Sequence, residues 1–436
     1  MKHYGKLVPL GMVILMVFSW FTLVKDALST ESRYDNYLKK ARENAEKGLT
    51  KYAAENYAQA LSIHSSPEIY AEVAAYYKSQ NRIGDYESWS EGFFELYPTE
   101  PVAYDCIIDA YLMQQGYADA YDILDIAEKR NITSDYIDQV REDLKYVYRF
   151  DYSTYEDVGV YSNNFAPVME KGNWGFVTRY GDYRIATKYL DVGYFTASNF
   201  CPVVNQNGDS YFIDKEGSKV KVAEEHYLKF GSLVEGKTAA QKEDGRYTYL
   251  DEDLKPLFGD YEYASTFNCG LAAVKEGNGW QLIKENGEAL GNQYYLDVKL
   301  DEKQIACRKD RLFVSVNEGR YILIDNKGKQ IGNQEYEDAN VFLADGITSV
   351  KIDGQWCFID ENGKRISDHT YENARAYANG LAAVCIDGVW GFVDEKENVV
   401  IEPVFFDTKD FNEMGSCFVK TGDKWQLLRL YRLNRD

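Results

Sequence analysis

The sequence predicts a protein of three parts: a transmembrane helix within residues 1–28, an α-helical repeat array over residues 34–146, and an all-β repeat domain over residues 155–436. Three observations predict this order: an apolar run near the first residues, two prolines 34 positions apart that each precede a helical pattern, and a phrase of about 35 residues that recurs eight times. We expect the β repeats to close into a propeller of about eight blades, and an open β-solenoid is the alternative.

Residues 7–24, LVPLGMVILMVFSWFTLV, are 18 consecutive uncharged and mostly apolar residues. A helix needs roughly 20 such residues to cross a bilayer, so the run predicts an uncleaved signal-anchor. The alternative is a cleaved signal peptide, but the run exceeds the usual ~7–15 apolar residues and no clear small-residue cleavage site follows before Ser29. Because Lys2 and Lys6 precede the run, we expect a single-pass membrane protein of a bacterial cell surface, with its repeat domains extracytoplasmic.

The composition narrows the possible partners and sites. The chain has 49 Lys and Arg against 70 Asp and Glu, and its net charge of -21 repels nucleic acid and anionic lipid headgroups. Its seven cysteines are odd in number, widely spaced and without a C-x-x-C pair, so we expect free thiols rather than a disulfide framework or a zinc site. None of the four histidines has a second ligand at metal spacing, and we expect no cofactor and no metal.

The region after the predicted anchor carries helical signals. Pro67 and Pro101 open segments with aromatic and small residues three or four positions apart, YAEVAAYY at 70–77 and YDCIIDAY at 104–111. A helical period of 34 residues resembles the tetratricopeptide repeat, although Tyr86 in the second unit stands where a small residue is expected. The matching residues are Tyr37, Gly48, Ala53, Tyr57 and Ala60 in the first unit, and Tyr104, Tyr111, Gly116, Tyr117, Ala120, Leu124 and Ala127 in the third. An irregular helical bundle is the alternative.

An array of this kind would offer a concave groove to a peptide or a partner helix. Asp105 and Asp109 lie four residues apart, hence on one helix face, and Met113 follows one turn later. We expect this face to bind a basic or apolar segment of a protein partner. A solvated helix face without a ligand is the alternative.

The β domain is built from one phrase around an aromatic residue, with short apolar runs such as LAAV (381–384) before it. The aromatic position is occupied, with three degenerate copies, by Trp174, Ser210, Tyr247, Trp280, Tyr321, Trp356, Trp390 and Trp425. Seven residues later, five units carry a glycine that indicates a tight turn at positive φ: Gly181, Gly217, Gly287, Gly328 and Gly363. About fifteen residues after the aromatic position a second aromatic recurs, slightly late at Tyr227: Tyr189, Tyr227, Tyr261, Tyr295, Tyr336, Tyr371 and Phe405. Each unit therefore predicts a meander of three or four short strands.

This phrase resembles the WG-repeat family, through the pairs Trp174-Gly175 and Trp390-Gly391. The resemblance covers residues 155–436, with departures: the glycine is replaced after Trp280, Trp356 and Trp425, and three units lack the tryptophan. What the family implies is a β-repeat architecture rather than a chemistry.

The two ends of the β domain carry complementary half repeats. Residues 155–164, YEDVGVYSNN, match the back half of a unit, and residues 415–425, GSCFVKTGDKW, match a front half. A propeller closes when strands from both ends share a blade, because no sheet edge is then left open. The half repeats thus favour the propeller over the solenoid.

Two features of the repeats invite a ligand. The acidic turns DKEG (214), DNKG (325) and DENG (360) lack the alternating carboxylates of a calcium loop, so we interpret them as turn chemistry. The recurring Trp and Tyr could stack on sugars, but their constant place in each repeat favours packing between neighbouring blades. A carbohydrate partner stays an alternative.

One connection is longer than its sisters. From Tyr295 to Phe313 the chain takes 18 residues where other units use 10 or 11, and the excess carries Arg308, Lys309 and Arg311 on an otherwise acidic protein. Insertions in repeat proteins map to loops that often bind partners, so these residues are a second candidate site. A tolerated surface insertion is the alternative.

Taken together, these features predict a noncatalytic, membrane-anchored surface protein that acts as a protein-interaction scaffold. The alternatives are a carbohydrate or cell-wall binding module, and a hydrolase with carboxylates in the ring centre. An enzyme would need residues that break the repeat in an inward cluster, and we do not identify such a cluster in the sequence.

Overall fold

The computed structural model describes residues 10–433, without side chains at residues 10–24 and 26–28. The chain divides into two compact units, which join between Lys145 and Tyr146. Among the described residues, no helix combines the length and the apolarity that crossing a bilayer requires. The predicted anchor, residues 7–24, lies outside the part of the chain for which side chains are described.

The first unit is helical, as the sequence predicts. Its described helices are α1 (Leu10–Glu46), α2 (Thr50–Ile63), α3 (Pro67–Ser79), α4 (Ile83–Leu96), α5 (Pro101–Leu112), α6 (Tyr117–Arg130) and α7 (Asp135–Asp143). Pro67 and Pro101 each occupy the first turn of a helix, where the missing N–H costs nothing. Ser66 and Ser134 cap α3 and α7 by accepting backbone N–H groups at 3.4 and 3.0 Å.

Small residues let these helices approach closely. Ala41, Ala53, Ala60 and Ala74 are fully buried in one core with Tyr57. Their lack of side-chain bulk leaves room for the tyrosine between neighbouring helices. The helical array is therefore confirmed, whereas its membership of the tetratricopeptide repeats stays a prediction.

The second unit is an eight-bladed β-propeller, and the open solenoid is therefore wrong. Its strands begin with β1 (Tyr148–Tyr155), which precedes the first blade. Blades 1 to 4 contain β2 (Asp157–Val158), β3 (Phe165–Glu170), β4 (Asn173–Thr178) and β5 (Tyr183–Tyr189); β6 (Asp191–Val192), β7 (Cys201–Val204), β8 (Ser210–Ile213) and β9 (Lys219–Lys221); β10 (Lys229–Phe230), β11 (Lys237–Gln241), β12 (Tyr247–Asp251) and β13 (Pro256–Tyr261); and β14 (Tyr263–Ala264), β15 (Leu271–Glu276) and β16 (Gly279–Lys284). Blades 5 to 8 contain β17 (Asp297–Val298), β18 (Arg311–Asn317), β19 (Arg320–Asp325) and β20 (Gln330–Tyr336); β21 (Asp338–Ala339), β22 (Ile347–Ile352) and β23 (Gln355–Asp360); β24 (Asn373–Ala374), β25 (Leu381–Ile386), β26 (Val389–Asp394) and β27 (Val399–Phe405); and β28 (Asp407–Thr408), β29 (Ser416–Thr421) and β30 (Lys424–Leu430).

The ring closes in blade 8, where β1 pairs with β30 in the order β28-β29-β30-β1. Tyr148 faces Leu430 and Tyr155 faces Trp425 in this antiparallel pair. The sequence predicts closure through residues 155–164, but the closing strand lies earlier, at Tyr148–Tyr155. The predicted segment is misplaced because, of residues 155–164, only Tyr155 belongs to the closing strand. Residues 157–158 form the first strand of blade 1.

The two recurring aromatic positions face each other across the third and fourth strands. Trp174 pairs with Tyr189 and Trp390 with Phe405, and Tyr155 is the matching partner of Trp425. Buried side chains of neighbouring blades join in shared cores, one of which combines Val158 and Val177 of blade 1 with Phe418 of blade 8. The predicted turn glycines Gly181, Gly217, Gly287, Gly328 and Gly363 all have φ between +76° and +85°.

Candidate interaction surfaces of the propeller

One residue links each blade to the next, between the second recurring aromatic and the first strand of the following blade. We call this the linker position; its eight occupants are Glu156, Leu190, Leu228, Glu262, Leu296, Glu337, Glu372 and Phe406. Because each of these residues directly precedes the first strand of a blade in the ring, they lie on one face of it, which we call the linker face.

Glutamate at the linker position stabilises a neighbouring hairpin. The carboxylates of Glu156, Glu337 and Glu372 accept the backbone N–H groups of hairpin glycines at 3.0, 3.0 and 2.9 Å. A hydrogen bond of this kind, with one charged partner, is stronger than a neutral one. Hydrogen bonding to the N–H of Gly172 also lowers the pKa of Glu156.

The other four blades carry a large apolar residue at the same position. Leu190, Leu228, Leu296 and Phe406 are 47%, 40%, 60% and 63% exposed. Leu190 and Leu228 occupy consecutive linker positions, and only Glu262 separates Leu228 from Leu296. Clustered apolar exposure on one face is a feature of interaction sites, because water contact with such groups is unfavourable.

The long connection of blade 5 enters the middle of the ring. We call residues 299–310 the central loop. Its first half is a turn in which the Asp301 carboxylate accepts the N–H groups of Lys303 and Ile305, both at 2.9 Å. Thr266 of blade 4 anchors this turn, since its N–H and hydroxyl donate to the carbonyls of Gln304 and Lys303 at 2.8 and 3.0 Å.

Glu302 of the central loop reaches two other blades. Its carboxylate lies 2.8 Å from Lys409 Nζ in blade 8 and 3.8 Å from Arg375 Nη1 in blade 7. Arg375 Nη2 also lies 3.3 Å from Asp407. The central loop is therefore fixed across the ring by opposite charges in a partly dehydrated interior, where such pairs are weakly screened.

Three cavities surround the central loop, and Glu302 lines all of them. The first, ≈ 350 Å³, lies among blades 2 to 4, and the second, ≈ 370 Å³, is bounded by loops of blades 1, 6, 7 and 8. In the second cavity Asp410 has no hydrogen bond or ion pair with any described residue, and burial raises the pKa of its carboxyl while Arg375 lowers it. Burial also lowers the pKa of Lys303 to about 8.

The third cavity, ≈ 410 Å³, combines aromatic and amide side chains. It is lined by Trp356 and Trp390 together with Asn340 and Asn373, and by Arg375. The guanidinium of Arg375 lies 5.6 Å from the centre of the Trp390 ring. Aromatic faces beside hydrogen-bonding amides can accommodate a polar ring such as a sugar.

The basic residues predicted on the insertion are only partly brought together. Arg308 lies in the central loop and is paired with Asp301 at 2.5 Å. Lys309 occupies an ordinary hairpin turn at the end of that loop, 3.6 Å from Glu361, and Arg311 donates to the Glu361 carbonyl at 2.6 Å. Each of the three therefore has an acidic or carbonyl partner within the protein.

The predicted groove residues also make internal contacts. Asp109 lies 2.7 Å from Lys78 and accepts the hydroxyls of Tyr86 and Tyr136 at 2.9 and 3.1 Å. Asp105 accepts the hydroxyl of Ser134 at 2.6 Å, and burial raises the pKa of its carboxyl. Met113 is partly exposed at the end of α5. Binding of a partner by this face stays a prediction.

An inward cluster that breaks the repeat does exist and was not identified from the sequence, but its large members are basic or amide side chains rather than the carboxylates of the hydrolase alternative. The residue after each two-residue strand is small in blades 1 to 4 and large and polar in blades 5 to 8: Gly159, Gly193, Gly231 and Ser265, then Lys299, Asn340, Arg375 and Lys409. Aligning the repeats on their first strands rather than on the tryptophan would have revealed it. No group of three or more metal-binding side chains occurs among the described residues.

Three solved structures are similar to this chain at low identity and low TM-score. The computationally designed Ika8 protein is 11% identical over 65% of this chain and 98% of its own, with a TM-score of 0.44. The WD40 beta propeller domain of Doa1 is 15% identical over 55% and 92%, with a TM-score of 0.30. PorZ, a bacterial surface component of the type-IX secretion system of Porphyromonas gingivalis, is 9% identical over 64% and 37%, with a TM-score of 0.32. Scores this low add nothing to what the sheet topology shows.

No curated protein sequence matches the chain. The model of the WG containing repeat matches residues 153–174, 247–280, 358–390 and 390–425. All four segments lie in the propeller, so the C-terminal region is similar to the WG containing repeat.

Proposed function

We propose that this protein is a noncatalytic interaction scaffold, anchored to the membrane by residues 7–24, whose propeller binds a protein partner through the linker face. The observation that carries the proposal is the exposure of Leu190, Leu228, Leu296 and Phe406 at a position where four sister blades hold glutamate. The fold accepts glutamate there, so folding does not require the apolar residues. Burial against a partner is a reason for them to be apolar.

The chemistry of the linker face indicates what the partner presents. Apolar side chains share the linker positions with the carboxylates of Glu262, Glu337 and Glu372, on a chain of net charge -21. A partner with an apolar centre and surrounding Lys or Arg residues would bury the apolar side chains of the linker face and form ion pairs with its carboxylates. Opposite charges of this kind raise association rates at low salt.

The direct test changes the linker position to the residue that sister blades carry. In the full chain in detergent, Leu190→Glu with Leu228→Glu should leave the melting temperature within about 2 °C, since Glu156 and Glu372 occupy equivalent sites. In capture experiments from membrane extracts, the recovered amount of each protein that binds the linker face should fall at least tenfold. The reason is that central apolar side chains dominate interface energies.

The matched control is Val222→Glu with Leu257→Glu. These residues are 55% and 45% exposed, Val222 directly after β9 and Leu257 within β13, and neither is at the linker position. They receive the same change in charge and polarity. Proteins captured equally by wild type, test and control variants would place binding elsewhere and refute the proposal.

Membrane anchoring is tested in intact cells. We expect the protein to stay in the membrane fraction after a high-salt wash, and an added protease to degrade both repeat domains. Protection from the protease would reverse the orientation, and a soluble mature form beginning near residue 28 would show a cleaved signal peptide instead.

A saccharide is a second candidate ligand, favoured by Trp356, Trp390, Asn340 and Asn373 in the third cavity. Titration with solubilised cell-wall polysaccharide should then quench tryptophan fluorescence in wild type, and less in Asn340→Ala with Asn373→Ala. Equal quenching in both would remove this candidate.

A further inference from the structure

Two cysteines of neighbouring blades meet beside the central loop. Cys269 lies in the first hairpin turn of blade 4, and Cys307 lies in the second half of the central loop in blade 5. The Cys269 thiol donates to the Cys307 carbonyl oxygen at 3.6 Å, and Cys269 packs against the buried core that contains Cys307. We propose that Cys269 and Cys307 are a site of covalent modification, an intramolecular disulfide that ties the central loop to blade 4.

Cys269 occupies a position where sister blades use polar residues. Its φ is +56°, in the left-handed region that a side chain with Cβ rarely adopts and that asparagine tolerates best. The equivalent residues of the same two-residue turn are Asn163, Glu235, Lys309 and Asn379, with φ between +50° and +57°. Cysteine is thus a poor choice for the turn itself, which indicates that the thiol has another role.

Cys307 also departs from the repeat, because its side chain is smaller than those of its counterparts. The residue two positions before this turn is large and buried in four sister blades: Tyr161, Leu233, Phe267 and Tyr377. Cys307 is equally buried but much smaller, and Cys269 packs against the core that contains it. The smaller side chain leaves space for the second sulfur, so the two departures from the repeat complement each other.

The chemistry requires an oxidant that carries a disulfide. The partly exposed Cys269 thiolate attacks this oxidant, forms a mixed disulfide and releases one thiol. The Cys307 thiolate then attacks the Cys269 sulfur, which closes the bond and releases the second thiol. Two thiols of the protein are oxidised and one external disulfide is reduced to two thiols. Burial raises the pKa of the Cys307 thiol, so we expect the second step to accelerate as the pH rises.

The test treats the reduced full chain in detergent with oxidised glutathione. We expect the number of titratable thiols to fall from seven to five, and a nonreducing digest to yield one peptide pair joined through Cys269 and Cys307. Closing a loop of 38 residues should raise the melting temperature by about 5 °C, reversibly with a thiol reductant.

Cys269→Asn is the matched control, because asparagine occupies the same turn in blades 1 and 7 and should preserve the fold. This variant should keep six thiols and show no shift in melting temperature on oxidation. Two results would overturn the proposal: a stable glutathione adduct on Cys269 without the cross-link, or seven thiols that remain after prolonged oxidation at pH 8.5. Neither cysteine is at the linker position, so failure of this test and failure of the proposed function are distinguishable.

Discussion

A single aspartate sets the conformation of each acidic turn. The Asp325 carboxylate accepts the N–H groups of Lys327 and Lys329, both at 2.9 Å, and Asp214, Asp251, Asp360 and Asp394 repeat this arrangement. Asn205 and Asn412 do the same with an amide oxygen. The predicted turn chemistry is seen at these residues, because one side-chain oxygen of each accepts two backbone N–H groups.

We expect Asp325→Ala to lower the free energy of unfolding by about 1 kcal/mol, as loss of a side-chain cap does. Asp325→Asn should cost much less, since asparagine keeps the accepting oxygen. Hydrogen bonds from the backbone of Lys329 and Lys327 lower the pKa of Asp325, so its contribution is present above the unfolded pKa of about 3.9 and is lost as the pH falls through the lower folded value.

Urea unfolding at pH 7 and at pH 3 measures this effect. The difference between wild type and Asp325→Ala should shrink at the lower pH, whereas Asp325→Asn should change little relative to Asp325→Ala across the range. A difference that stays constant with pH would mean that the carboxylate charge is irrelevant to the turn.

Lys303 should give the opposite dependence on pH. Because burial lowers its pKa from 10.5 to about 8, the folded protein disfavours the charged ammonium, and this penalty is fully present below pH 8. Lys303→Met should therefore raise the melting temperature at pH 7, and the gain should disappear as the pH rises from 8 towards 10.5. A gain that is equal at pH 7 and pH 10 would show that packing, rather than charge, is responsible.

At the scale of elements, the glycine of the Trp-Gly pair is explained by the strand beside it. A Cβ on Gly175 would lie 2.5 Å from the carbonyl oxygen of Ile185, and one on Gly391 would lie 2.5 Å from that of Ile401. The outer strand shifts register at both places. Six blades have another residue there: blades 4 and 6 form three strands, and blades 2, 3, 5 and 8 form four, so the glycine is not required for the fourth strand.

Gly175→Ala should destabilise the propeller by about 2–3 kcal/mol, because backbone atoms must move to admit the methyl group. Gly231→Ala is the matched control, since its nearest heavy atom would be 3.6 Å away, an ordinary contact. Thermal unfolding followed by near-ultraviolet circular dichroism compares the two variants. Equal melting temperatures would show that β5 can move aside freely.

The central loop shows where prediction from sequence stops. Its extra length is visible in the spacing of the repeats, and so are the charges that distinguish Arg375 and Lys409 from their small counterparts. The direction of the loop is not visible in the sequence, because a connection of 12 residues can point outward or inward. Only its ion pairs with distant blades show that it points inward. Glu302 and Lys409 are 107 residues apart, a separation that no local pattern spans.

At the scale of the molecule, the number of repeats and their closure could be predicted. Complementary half repeats at the two ends of the β domain can complete one blade, which closes a ring without an open sheet edge. The closing strand could not be located, since β1 lacks the phrase that marks the other units. Tyr155 is its one recognisable residue, as the partner of Trp425. The sequence repeat thus predicts the architecture, but it does not predict a strand that lacks the repeated phrase.

Removal of residues 415–436 should destabilise the whole propeller in one cooperative step. The deletion takes away β29 and β30 and leaves β1 without a partner, so both neighbouring blades lose a packed face. Circular dichroism should show loss of most strand signal at 25 °C, far beyond the share of the deleted strands. A truncated chain that keeps seven-eighths of the signal with an unchanged melting temperature would show that the blades are stable independently.

Closure in blade 8 also has a consequence in time. The hydrogen bond between Gln426 and Asp151 joins residues 275 positions apart, so a ribosome must add all the intervening residues before β1 can meet β30. At about 5–20 residues per second, β1 waits for about 15 to 55 s with its edge open to pairing with any other chain. Synthesis of β30 therefore decides when the edge of β1 is no longer open to aggregation.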